Sequence, residues 1–142
     1  RSGTAYDSGI SKRGEGWVIN LKPKVLQALR NNAALVSILG GAKVWPEVVP
    51  ENPKKPITVP YLTFFELTNF DGNYAEDQAT TSEIHYQVDV WSGSDTGPAT
   101  IEVNRTMEQL GFVRTGAIDR YEKETKTYHK VLRYKTITRS DF

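Results

Sequence analysis

From Leu21 to Leu39 the apolar residues Leu21, Val25, Leu29, Val36 and Leu39, joined by Leu26 and Ala33, recur at steps of three and four. That is the stripe of an amphipathic helix. Asn20 is placed to cap it, Pro23 suits its first turn, and Asn31-Asn32 is a point at which it bends or breaks in two. Gly40-Gly41 ends it by supplying positive φ. A different period runs from Glu83 to Trp91, where Ile84, Tyr86, Val88 and Val90 face one way and Glu83, His85, Gln87, Asp89 and Trp91 the other. Strict alternation predicts a half-buried antiparallel strand. Ser92 to Gly97 then turns the chain into a second helix, with Ser94, Asp95 or Thr96 as caps and Pro98 in the first turn. Its apolar face is Ala99, Val103, Met107 and Leu110, and Gly111 stops it.

Between these segments, Lys43 to Trp45 predicts a short strand and Pro46 to Pro60, with its five prolines, an extended connection. Tyr61 to Leu67 is rich in aromatic and β-favouring residues and predicts a strand buried on both faces. Tyr61, Phe64, Phe65 and Tyr86 are accordingly core candidates. Asn69 to Thr81 predicts a long polar loop interrupted by Phe70 and Tyr74, a length uncommon in a compact domain unless the loop has a function. Residues 113 to 122 and 127 to 138 predict a C-terminal β-hairpin around the charged turn Lys123 to Lys126. The expected fold is therefore α+β: a mostly antiparallel sheet of four to five strands with two α-helices on one face.

Residues 1–17 are rich in Gly, Ser, Lys and Arg and are read as a flexible arm, leaving 18–142 as a single domain. A second reading makes the arm non-native, because Lys12 to Gly16 is encodable by a purine-rich ribosome-binding sequence with Val18 as a GTG start. The chain has no cysteine, which excludes disulfides, thiolate metal sites and a cysteine nucleophile. Its 18 basic and 17 acidic residues leave a net charge of +1, so specific nucleic-acid binding is not expected. No apolar run approaches the roughly 20 residues that cross a bilayer, and the N-terminal residues lack a signal peptide's apolar stretch, so a soluble protein with no membrane partner is expected.

Candidate chemistry is sparse. His85 and Asp89 share a strand face but lie about 13 Å apart along it, too far to pair, and neither His85 nor His129 has a second ligand at helical spacing. Asp119 with Glu124 and Lys126 resembles the acidic and lysine elements of a metal-dependent nuclease, but Glu124 and Lys126 fall at the tip of a hairpin instead of inside a strand. No nucleophile elbow, Walker loop or dinucleotide fingerprint occurs. With no catalytic, cofactor or metal residues assigned, interaction surfaces become the leading signal. Trp45, Phe70, Tyr74 and Trp91 sit beside loops or on the polar side of a strand, where a partner gains more from an aromatic than a monomer does. Lys54, Lys55, Asp71, Glu76 and Asp77 accompany them as charges that set register.

The order of several segments resembles the small tail-completion, or head-to-tail joining, proteins of long-tailed (siphovirus-type) bacteriophages and prophages. The segments are Val25 to Leu29 with Leu35 to Gly41, then Val44-Trp45-Pro46 and Pro60-Tyr61-Leu62. Tyr86 to Ser92, Leu110-Gly111-Phe112 and Tyr128 to Tyr134 complete the pattern. The resemblance implies a non-enzymatic virion protein at the head–tail interface, present in the bacterial host cytoplasm during assembly. It implies a monomer when free that forms a hexameric ring, with the tail-tube protein and the head-completion or connector protein as partners. It carries no catalytic residues and no cofactor. A metal-dependent nuclease and a generic protein-binding adaptor are the alternatives.

Overall fold

The computed structural model describes residues 10–13, 16–71, 74–75, 78–79 and 81–139. Strands β1 (Ile10–Arg13) and β2 (Gly16–Ile19) pair as a short antiparallel hairpin within the segment read from sequence as an arm. The rest of that segment lies outside the described residues.

The first helical stripe folds as two helices, α1 (Lys22–Arg30) and α2 (Ala33–Leu39). Asn32 causes the break. Its backbone is extended and its side-chain oxygen accepts from the Leu35 N–H at 3.0 Å, capping α2. Its amide nitrogen meanwhile donates to Thr106 Oγ1 at 2.9 Å, tying the break to the helix that follows later in the chain. At the start of α1 the cap position belongs to Leu21, while Asn20 Oδ1 accepts from the Lys22 N–H at 3.2 Å. Gly40 closes α2 at φ 78°, a conformation that costs glycine little.

After β3 (Val44–Pro46) come β4 (Tyr61–Asp71), the two-residue strands β5 (Tyr74–Ala75) and β6 (Gln78–Ala79), and β7 (Thr81–Ser92). Helix α3 (Gly97–Gln109) and the hairpin β8 (Val113–Glu122) and β9 (Thr127–Arg139) complete the chain. The main sheet has the order β3-β4-β7-β9-β8, with β3 parallel to β4 and the other pairs antiparallel. This is the expected α+β architecture, with three helices instead of two because Asn32 divides the first.

One face of the sheet is covered. Val25, Leu29, Leu35 and Leu39 of α1 and α2, with Ala99, Val103 and Met107 of α3, pack on Leu62, Phe64, Ile84, Tyr86, Val88, Val90, Leu132 and Tyr134. Each of these larger side chains contributes about 1.5–3 kcal/mol on full burial. Tyr86 meets Phe64 and Phe112 with ring centroids 6.2 and 5.6 Å apart. Burial pushes the Tyr86 and Tyr134 phenols well above their ordinary range.

Candidate interaction surface

Register places every second residue of the sheet on the opposite, helix-free face. One transverse row there reads Tyr61, Trp91, His129 and Arg120, and the next reads Trp45, Thr63, Asp89, Val131 and Ile118. Aromatic rings form a continuous strip: Trp45 meets Tyr61 edge-on at 6.4 Å, Tyr61 stacks on Trp91 at 6.2 Å, and Trp91 lies on the His129 imidazole at 3.7 Å. The rings are half-buried. Burial, with the Glu122 charge adding to it, holds the Tyr61 phenol above its usual range.

Beneath the rings runs a polar chain. Trp91 Nε1 donates to Thr63 Oγ1 at 3.1 Å, and His129 Nε2 lies 2.8 Å from Asp89 Oδ1. Gln87 Nε2 donates to the same carboxylate oxygen at 3.0 Å, and Gln87 Oε1 accepts from Arg133 Nε at 3.2 Å. Asp89 is only 5% exposed, yet its carboxylate has two hydrogen-bonding partners. His85 is engaged separately by Glu83 at 2.7 Å. Sequence spacing excluded a His85–Asp89 pair; the carboxylate instead finds a histidine across the sheet, a contact set by the pairing of two strands about 40 residues apart.

The face also corrects two core assignments. Phe64 and Tyr86 are fully buried, whereas Tyr61 and Phe65 point to the helix-free side and are half-buried. In a short aromatic run periodicity does not tell the two faces apart.

A second feature lies at the far end of the same strands. Where it is described, the long polar loop expected at Asn69 to Thr81 is paired strand: β4 and β7 stay paired to Asp71 opposite Ser82, beyond a bulge between Glu66 and Thr68, with β9 beside β7 to Arg139 opposite Thr81, and β5 pairs with β6. Polar residues satisfy a ladder as well as apolar ones, so polarity was no guide to the backbone here.

The candidate residues thus fall into three groups. Trp45 and Trp91 meet through Tyr61 in the aromatic strip. Lys54 and Lys55 are exposed in the connection before β4, where their backbone N–H groups bond Asn52. Phe70 and Asp71 end β4, Tyr74 lies in β5, and Glu76 and Asp77 fall outside the described residues. Phe70 is seven residues along β4 from Thr63, roughly 20 Å from the strip. The nuclease elements do not converge: Asp119 Oδ1 is 3.0 Å from Lys130 Nζ, and Glu124 and Lys126 occupy the β8–β9 turn.

Three comparisons bear on this architecture. The family model for tail completion protein gp17 matches residues 23–139. A chain from the virion of a native gene transfer agent particle superposes with a TM-score of 0.60 at 14% identity, covering 82% of this chain and 92% of its own, which establishes a shared fold. No curated protein matches the sequence.

Proposed function

The chain belongs to the tail completion protein gp17 family, and on that premise we propose that it is a structural virion protein that caps the tail tube and joins it to the head connector. It acts by binding, at the head–tail interface, after synthesis in the host cytoplasm. Residues 18–142 work as one domain, and several copies close into a ring on the tube.

The observation that carries the reading is a helix-free, aromatic sheet face together with a separate arm of paired strand at the far end of β4 and β7. Face and arm are different patches of one copy. Contacts between unlike patches are heterologous, and they close a ring when the rotation between neighbours closes. Trp45, Trp91, Phe70 and Tyr74 serve as apolar anchors, and Lys54, Lys55, Asp71, Glu76 and Asp77 steer partners and set register.

The test replaces residues 70–78 with a short glycine linker. The expected product has an unchanged far-UV spectrum and a cooperative melt but joins no tails to heads in a complementation assay. Infectious particles from that variant would remove the arm from the mechanism.

A further inference from the structure

The two edges of the main sheet differ. β3 is three residues long, ends in Pro46, and its Val44 carbonyl accepts from Arg30 Nε and Nη2 at 3.0 and 2.6 Å. β8 is ten residues long and pairs with β9 on one side only. Among the described residues, no backbone hydrogen bond is made on its other side. A long open edge is a template for a further strand, and proteins usually guard it with proline, lysine or a bulge. β8 contains no proline or lysine, and its register shift lies between Arg114 and Gly116, so Gly116 to Glu122 is regular and unguarded.

This stretch is also uncovered on both faces. Ala117, Asp119 and Tyr121 lie on the side of the core yet are exposed, and Ile118, Arg120 and Glu122 are exposed on the open side. Ile118 and Tyr121 are 40% and 50% accessible. A strand added along β8 therefore finds free backbone groups and side-chain contact together.

The residues at this edge identify what fits it. Asp119-Arg120-Tyr121-Glu122-Lys123 is a charge palindrome. Paired antiparallel with a second copy of itself about Tyr121, it sets Arg120 of each copy opposite Glu122 of the other, and Asp119 opposite Lys123, the first residue of the turn. Opposite charges at directly opposed positions favour a pairing and like charges disfavour it. Registers centred on Asp119, Arg120 or Glu122 oppose like charges. One centred on Ile118 sets Asp119 against Ala117 and Arg120 against Gly116, matching none. Within one copy Arg120, Glu122 and Lys123 have no ion-pair partner among the described residues, while Asp119 reaches Lys130 at 3.0 Å and keeps its side chain 78% exposed.

We propose that two copies of this chain dock antiparallel along β8, about a two-fold axis at Tyr121, and join their main sheets into one. The contact lies outside the proposed ring and does not depend on it. Main-chain hydrogen bonds hold the two strands together, and the charges select the register. Because both copies use the same patch, the contact closes on itself and occupies the open edge without propagating into a fibre. Five residues a side are far fewer than the roughly 20–30 of a standard interface, so the dimer is weak and concentration-dependent.

The chain has no native cysteine, so single cysteines report the axis. In this register the two copies of residue 121 face each other about 5 Å apart, and the two copies of residue 118 lie about 20 Å apart. With a short bis-methanethiosulfonate linker at high protein concentration, Tyr121→Cys is expected to give a covalent dimer and Ile118→Cys is not. Linking at Ile118 in place of Tyr121, or at neither, overturns the docking. Sedimentation velocity at low salt checks the charges. Arg120→Glu should abolish the dimer, and Arg120→Glu with Glu122→Arg, which exchanges the signs and restores complementarity, should recover it. A dimer unaffected by Arg120→Glu, or not recovered by the exchange, overturns the register.

Discussion

The two faces of one sheet are built from alternate residues of the same strands and meet opposite fates. Phe64 and Phe65 are neighbours in sequence, yet Phe64 is fully buried in the core with the helices while Phe65 lies half-buried on the helix-free face. On the covered face apolar side chains pack against helices. On the open face aromatics stack on one another, a carboxylate is hydrogen-bonded across strands, and Arg120, Arg133 and Lys135 meet no carboxylate among the described residues. Burial alone does not separate them, since Val131, Asp89 and Thr63 of the open face are also buried. What separates them is the agent of burial: another layer of the fold in one case, other side chains of the same layer in the other. A face that shields itself is one that can exchange those contacts for a partner's.

The largest effect expected from breaking this comparison is at Phe64. Phe64→Ala should lower unfolding free energy by about 3–5 kcal/mol in urea titration, enough to unfold a marginal domain. Phe65→Ala should cost about 1 kcal/mol or less. Equal losses would mean that the open face carries as much of the fold as the covered one.

Next comes the buried carboxylate of Asp89. Asp89→Ala leaves His129 and Gln87 without their acceptor, at a cost of about 1–3 kcal/mol. It should also loosen the Trp91–His129 stack, read as a change in tryptophan emission. Trp45→Ala, at the exposed end of the aromatic strip, should cost about 1 kcal/mol or less while weakening head–tail joining. Loss of joining in proportion to stability alone would make the strip a structural feature of the monomer.

How far these faces were legible in the sequence follows from the kind of signal each leaves. The alternation of β7, the stripe of α3 and its glycine stop were readable because they are local periods, and so was the interruption at Asn31-Asn32. The α+β class followed from their order. Three things depended on partners distant in sequence. The face taken by Tyr61 and Phe65 is decided by which helices arrive above β4, and the short apolar run gives no period to read. The His129–Asp89 contact requires a strand register. The arm at residues 69–82 looked like a loop because its polarity is conspicuous and its pairing is not.

Charge reversal tests the open face with little effect on the free protein. Arg133→Glu with Lys135→Glu removes the hydrogen bond from Arg133 to Gln87 but no ion pair, so the melting midpoint should shift by an amount corresponding to about 0.5 kcal/mol or less. Joining should be lost. A variant that joins normally would show the cations to be solvated surface.

The smallest effect on the fold is expected at Gly116, where the comparison becomes sharpest. Its φ lies outside the left-handed region and a Cβ there meets no atom within 4 Å. Alanine should therefore leave the free protein unchanged or stabilise it by about 0.4–1 kcal/mol by restricting the unfolded chain. A side chain added there projects from the open face, so its effect should appear in joining and not in folding. Gly116→Ala is expected to melt at or above the wild-type temperature and yet join fewer tails to heads, with Gly116→Val more severe in assembly. A substitution that improves the monomer and impairs the assembly separates the two demands on one residue. Unimpaired joining by both variants would mean that no partner meets the open face closely at this point.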